Sequence, residues 1–148
     1  MYAKRIILMD LNYTLVANQA ETRQIRPFSA RLEAEEYRTD LIDKIRKEFV
    51  TVVTARPISQ RKETVQNLFR KTGWRPQEAY FNDLGLEPPA YKEFVLTRAV
   101  FPEHGDDVKR YLAIESNPET REMYERHGIG STITRISAGS IWTIPRTG

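Results

Sequence analysis

The stretch Arg5-Ile6-Ile7-Leu8-Met9-Asp10-Leu11-Asn12-Tyr13-Thr14-Leu15 decides how this chain folds. Arg5 to Met9 is a short apolar run, rich in β-branched residues, that ends at an acid, as a strand buried on both faces of a sheet does. Such a strand needs helices on either side, and the downstream sequence provides them. From Arg31 to Phe49 the residues Tyr37, Leu41, Ile42, Ile45 and Phe49 recur at helical spacing, which predicts one amphipathic helix. Val50 to Thr54 predicts a second buried strand, stopped by Ala55-Arg56-Pro57. Ile58 to Lys71 then predicts a helix with Val65, Leu68 and Phe69 on its inner face and Gly73 as its terminator.

The alternation continues. Glu78 to Asn82 is a third candidate strand, and Pro88-Pro89 opens a helix running through Phe94, Val95 and Ala99. Tyr111 to Ile114 is the fourth strand. Asn117-Pro118-Glu119 starts a helix in which the Asn side chain caps free N–H groups, and Gly128 closes it. Ser131 to Ile136 alternates like an edge strand. Ala17 to Gln24 and the tail over 138–148 read as loose segments. Five strand–helix alternations predict an α/β fold: a three-layer sandwich with an open, mostly parallel five-stranded sheet and helices on both faces.

With 148 residues, 40% of them hydrophobic, the chain reads as one domain, 1–148, able to bury its own core without a staple. The absence of cysteine excludes a disulfide framework, a zinc knuckle, a thiol nucleophile and a thiolate-held iron–sulfur cluster, and it fits a reducing compartment. No stretch approaches the ~18 apolar residues of a membrane span, and the opening MYAKRIILMDLNYTLV meets an acid too soon for a secretory signal. A soluble, cytoplasmic protein is expected. Lys+Arg exceed Asp+Glu by 23 to 20, a net charge of +3 that permits an anionic partner without requiring one.

Ligands on open parallel sheets bind at the carboxyl ends of the strands. The residues expected there are Asp10, Asn12, Thr14, Thr54, Lys92, Glu115, Ser116 and Asn117, all polar. Carboxylates, hydroxyls and a lysine around one point suit phosphoryl transfer. A carboxylate attacks phosphorus or holds a cation, the lysine neutralises phosphate charge, and the hydroxyls orient oxygens. Hard oxygen ligands favour a Mg²⁺-like ion. Read singly, the same residues have plainer roles: Asp10 as a turn acid, Lys92 as a solvated helix lysine, and the Arg/Lys run over 56–71 as a solvated helix face. His104 and His127 are not catalytic candidates. Trp74, Trp142, Phe28 and the tyrosines read as packing, since no RNA-binding signature organises them.

The series resembles the haloacid dehalogenase superfamily of phosphohydrolases. Asp10-Leu11-Asn12-Tyr13-Thr14-Leu15 matches its first motif, D-x-D-x-T-[LV], except at the second Asp. Val50 to Thr54 resembles the second motif, Lys92 in PAYKEFVL the third, and Tyr111 to Ser116 (YLAIES) the fourth. SNPETREMYERHGI and the TARP turn look most like the phosphatase domain of phage-type polynucleotide kinases. The resemblance implies that Asp10 is a nucleophile forming an aspartyl-phosphate. It also implies that Thr54 and Lys92 bind the phosphoryl group with help from Thr14 and Arg56, and that Asp10, the Asn12 backbone carbonyl and Glu115 or Ser116 hold Mg²⁺.

Two departures weaken that chemistry. Asn12 stands where the family's general acid–base Asp would stand and cannot exchange a proton near neutral pH. Ser116 stands where a metal-ligating Asp is usual, leaving Glu115 to compensate. The connections Ala17 to Ala30 and Asp83 to Pro89 are too short for a cap domain, so the expected site is open. With Arg56, Arg61, Lys62, Arg70 and Lys71 nearby, it suits an accessible phosphomonoester such as a nucleotide or nucleic-acid end. The alternative is a catalytically impaired relative that binds a phosphorylated ligand or protein partner.

Overall fold

The structure is a computed structural model that describes residues 4–133. Ile136, Trp142 and the 138–148 tail lie outside the described residues. Five strands, β1 (Ile6–Met9), β2 (Phe49–Pro57), β3 (Glu78–Asn82), β4 (Tyr111–Ile114) and β5 (Gly130–Thr132), form one sheet of order β3-β2-β1-β4-β5. Every pairing is parallel. This is the expected α/β three-layer architecture.

All four residues of β1 are buried, and their alternation builds two cores. Ile7 and Met9 pack with Leu41, Ile42 and Ile45 of α3 (Thr39–Ile45) and Leu68 of α4 (Arg61–Thr72). Ile6 and Leu8 face the opposite layer, with Tyr91 and Val95 of α5 (Pro88–Val95) and Met123 and Tyr124 of α7 (Pro118–Arg126). A central strand apolar throughout is therefore what lets one sheet carry a helix layer on each face.

Local chemistry sets several boundaries. Gly73 takes φ 73° at the end of α4, a left-handed conformation that costs glycine nothing. The Asn117 side chain accepts from the Glu119 N–H at 2.9 Å and caps α7, as its sequence predicts.

Elsewhere the structure differs from the sequence reading. The helix expected over 31–49 is two helices, α2 (Phe28–Ala34) and α3, and Phe49 opens β2 instead. Between them the chain is extended because its backbone fastens the loop after β1. Ala17 N donates to Glu36 O at 2.7 Å, Arg38 N donates to Leu15 O at 2.9 Å, and Val16 bridges Tyr37. The segment expected to be loose, Ala17 to Gln24, contains α1 (Gln19–Thr22), with Gln19 and Thr22 buried. β2 runs on through Ala55-Arg56-Pro57 with an irregular register. Phe69, expected on the inner face of its helix, is 41% exposed. After α5 the chain winds on through residues 96–100 to α6 (Phe101–His104). β5 covers Gly130–Thr132, starting one residue before the strand expected from Ser131, and the remainder of that expectation beyond Ile133 lies outside the described residues. Among the described residues, no helix is long and apolar enough to cross a membrane.

The buried tyrosines make stability sensitive to alkali. Burial pushes the Tyr37 and Tyr91 phenols up to about 12, with Glu35 and Asp83 adding repulsion respectively. An unfolded tyrosine ionises near pH ~10, so above that the unfolded chain loses protons first. Each phenol's contribution is whole below about pH 10 and is lost as pH rises towards about 12. Each is worth at most about 2–3 kcal/mol. The urea midpoint should fall steeply over that window, and Tyr91→Phe should flatten the fall; an unchanged profile would contradict the burial argument.

Candidate active site

The sheet order creates the site. From β1 the chain moves outward through β2 to β3, then returns to the other side of β1 as β4. At such a switch point the connections leave in opposite directions and open a crevice beyond the strands' carboxyl ends. Asp10 follows β1, and its N–H donates to Ile114 O at 3.0 Å; Glu115 follows β4, and its N–H donates to Thr132 O at 3.0 Å. Extended ladders thus hold both acids side by side.

Lys92, in the second turn of α5, lies between them. Its Nζ donates to Asp10 Oδ1 and to Glu115 Oε1, each at 2.7 Å, and the residue is 2% exposed. The second oxygen of each acid is also held. Thr14 Oγ1 donates to Asp10 Oδ2 at 2.5 Å, and the Asn117 N–H donates to Glu115 Oε2 at 3.1 Å. Ser116 Oγ lies 2.6 Å from Thr14 Oγ1 and 3.0 Å from the Tyr13 carbonyl. Since Thr14 gives its one proton to Asp10, Ser116 is the donor to Thr14 or to Tyr13.

Two carboxylates and one ammonium leave this buried trio with a formal charge of −1. Burial pushes Lys92 down, but Asp10 and Glu115 override it and hold the ammonium above the ordinary lysine range. Burial pushes the Glu115 carboxyl up to about 7 against the pull of Lys92, with Asp10 adding repulsion.

A second buried network stands behind Asn12. Arg56 donates from Nε and Nη2 to Asn12 Oδ1 at 3.1 and 2.9 Å, from Nη2 to Glu35 Oε2 at 2.5 Å, and from Nη1 to Thr64 Oγ1 at 3.2 Å. Glu35 is fully buried and Arg56 nearly so. With its oxygen bound to Arg56, Asn12 has only its NH₂ group left to offer elsewhere.

A cavity of about 520 Å³ lies over these groups. Of the residues expected at the carboxyl edge, Asp10, Asn12, Thr54, Lys92, Glu115, Ser116 and Asn117 line it. Thr54 Oγ1 accepts from the Arg56 N–H at 3.1 Å, which leaves its own hydroxyl proton to donate. Thr14 and Arg56, expected at the phosphate, are not in the wall. Thr14 is fully buried beneath Asp10, and Arg56 is turned to Glu35 and Asn12. The basic surface expected around α4 is also largely engaged internally. Lys71 donates to three carbonyls, of Leu32, Glu33 and Glu35, at the end of α2, while Arg70 pairs with Glu33. Arg61 donates to Ala79 O at 3.3 Å.

The sequence reading missed Glu35, which no periodicity separates from the other acids of its run, and Tyr13. Packing is the wrong role for Tyr13: it is 46% exposed and lines the cavity.

Among the described residues, no group of three or more His, Cys, Asp or Glu side chains is placed to hold a metal. The hard-oxygen donors in the cavity wall are the Asp10 and Glu115 carboxylates, each of whose oxygens already accepts a hydrogen bond within the chain. That set fits Mg²⁺, which is typically held by one or two carboxylates and keeps several waters, and does not fit zinc. Ser116 is poorly available because its hydroxyl is engaged with Thr14 and Tyr13.

Compared with protein-family models and with curated proteins, the chain matches none.

Proposed function

We propose that the protein hydrolyses phosphomonoesters through an aspartyl-phosphate on Asp10. One observation carries this reading: Lys92 Nζ lies 2.7 Å from both Asp10 and Glu115 at the carboxyl ends of β1 and β4, in the wall of an open cavity. Phosphoryl transfer needs an oriented nucleophile opposite fixed positive charge. The resemblance of the four strand-end motifs to the haloacid dehalogenase superfamily supports the same reaction.

Lys92 and Thr14 hold the two oxygens of Asp10, so the carboxylate meets phosphorus without a search of its rotamers. In the first step an Asp10 oxygen bonds to phosphorus as the ester P–O bond breaks, and the leaving oxygen takes a proton from solvent. In the second, water attacks the aspartyl-phosphate, releasing inorganic phosphate and restoring the carboxylate. Thr54 and the Asn12 amide donate hydrogen bonds to phosphoryl oxygens. Mg²⁺ held by Asp10, Glu115 and the Asn12 carbonyl would supply the positive charge that a phosphate dianion needs at a trio of net charge −1.

With Asn12 unable to give a proton, esters of acidic alcohols should turn over far faster than alkyl phosphates. Phosphate release from an activated aryl phosphate with Mg²⁺ tests the proposal. Asp10→Asn should lower the rate at least ~10³-fold. Release no faster than the buffer blank, or a rate indifferent to Asp10→Asn, would leave the second reading, a phosphoryl-binding relative without turnover. Asn12 favours that reading, because its amide is locked by Arg56 as a donor only.

A further inference from the structure

We propose that Tyr13 selects the substrate, its ring forming a stacking wall for a flat aromatic group carried by the phosphomonoester, as a nucleobase is. This rests on the phosphomonoester reading for the position of the phosphate, and it names the class of group attached to it.

The backbone is the first observation. Asn12 has φ −68°, ψ 134° and Tyr13 has φ 64°, ψ −2°, the two central positions of a type II turn. The second of these requires positive φ and is glycine's place, or asparagine's. Among the described residues Tyr13 is the one non-glycine residue with positive φ. A bulky side chain there is strained, and such strain marks a position where the side chain is needed.

Burial does not explain the choice. The ring is nearly half exposed, belongs to neither core, and among the described residues is tethered at its edge, where Arg23 Nη1 donates to the phenol oxygen at 3.2 Å. The residue instead lines the cavity that contains Asp10 and Lys92.

The cavity is the second observation. Its charged wall is Asp10, Lys92 and Glu115, whereas Tyr13, Ala55 and Pro88 supply apolar surface. A volume of about 520 Å³ far exceeds what one phosphoryl group fills and lies in the range of small-molecule sites. A ligand matching both walls is charged at one end and flat and apolar at the other. A sugar phosphate offers hydroxyls where this cavity offers an aromatic face; a nucleoside monophosphate offers a base.

The test compares a nucleoside 5′-monophosphate with ribose 5-phosphate, the same phosphate without the base, in the presence of Mg²⁺. Both kcat/KM and calorimetric Kd are read in the full chain and in Tyr13→Ala, Tyr13→Trp and Tyr13→Gly. The native protein should prefer the nucleotide by roughly 5- to 150-fold, the range one base–aromatic stack supports. Tyr13→Ala and Tyr13→Gly should abolish the preference by bringing the nucleotide to the level of ribose 5-phosphate in the same variant, and Tyr13→Trp should restore it. Tyr13→Gly should melt no lower than the native chain, because it relieves the turn, so its lost preference cannot be ascribed to unfolding. Equal handling of the two ligands by the native protein, or a preference that survives Tyr13→Ala, overturns the inference. If neither ligand is turned over but Kd shows the Tyr13-dependent preference, the inference stands and hydrolysis falls.

Discussion

Lys92→Met is expected to cost the fold about 3–5 kcal/mol, because it leaves two buried carboxylates facing each other with nothing between them. Lys92 is the shared partner of Asp10 and Glu115 at 2.7 Å each, and all three side chains are at most 8% exposed, so solvent screens little of the loss. Against a typical total stability of ~5–15 kcal/mol, that is a large share. Asp10→Asn should behave in the opposite way. It takes the trio from a charge of −1 to neutral and keeps the Lys92–Glu115 pair, so its stability should stay within about 1 kcal/mol of the native chain. Equilibrium urea unfolding of both variants without added metal checks the contrast. A Lys92→Met protein as stable as Asp10→Asn would mean that the lysine bridge contributes nothing, and the geometric basis of the proposed chemistry would go with it.

Asn12→Asp is expected to raise the rate of phosphate release by about 10²–10⁴-fold, roughly 3–5 kcal/mol of barrier, by placing a proton donor beside the leaving oxygen. The replacement needs no rearrangement, since Arg56 already points Nε and Nη2 at the position-12 side-chain oxygen. That guanidinium should hold the new carboxyl below the usual carboxylate range, partly offset by Glu35, which shares it. The gain should therefore grow as pH falls from neutrality towards the carboxylate range, because each step down raises the fraction of the acid form. It should also be larger for alkyl than for activated aryl esters. Initial rates on both ester types across the acid and neutral range provide the check; no gain at any pH would argue that position 12 does not face the leaving group.

How much of this was legible beforehand differs residue by residue. The four-residue run Tyr111–Ile114 was readable as a buried strand because every residue is apolar, and β4 has those bounds. The 31–49 helix was misread because Tyr37 fits a helical period and an extended bridge to Val16 equally well, and a single tyrosine carries no mark of which it joins. Sequence offers Lys71 only as a solvated charge, and Arg56 either as that or as a phosphate ligand, because isolated charges are usually at the surface. The burial of Arg56 and the internal hydrogen bonds of Lys71 depend on Glu35 and on the carbonyls ending α2, groups 21 and 36 residues away in the chain.

From sequence alone came the strand–helix alternation, the parallel sheet it implies and the polar residues awaiting each strand's carboxyl end. These follow from hydrophobic period and local chain stiffness, which act over a few residues. Only the tertiary structure decided that one ammonium is shared by acids 82 and 23 residues away, that Arg56 turns inward to lock Asn12, and that Tyr13 occupies a glycine's turn position in the cavity wall. Those outcomes depend on which distant groups approach closely enough to satisfy one another out of water, and no local pattern records that distance.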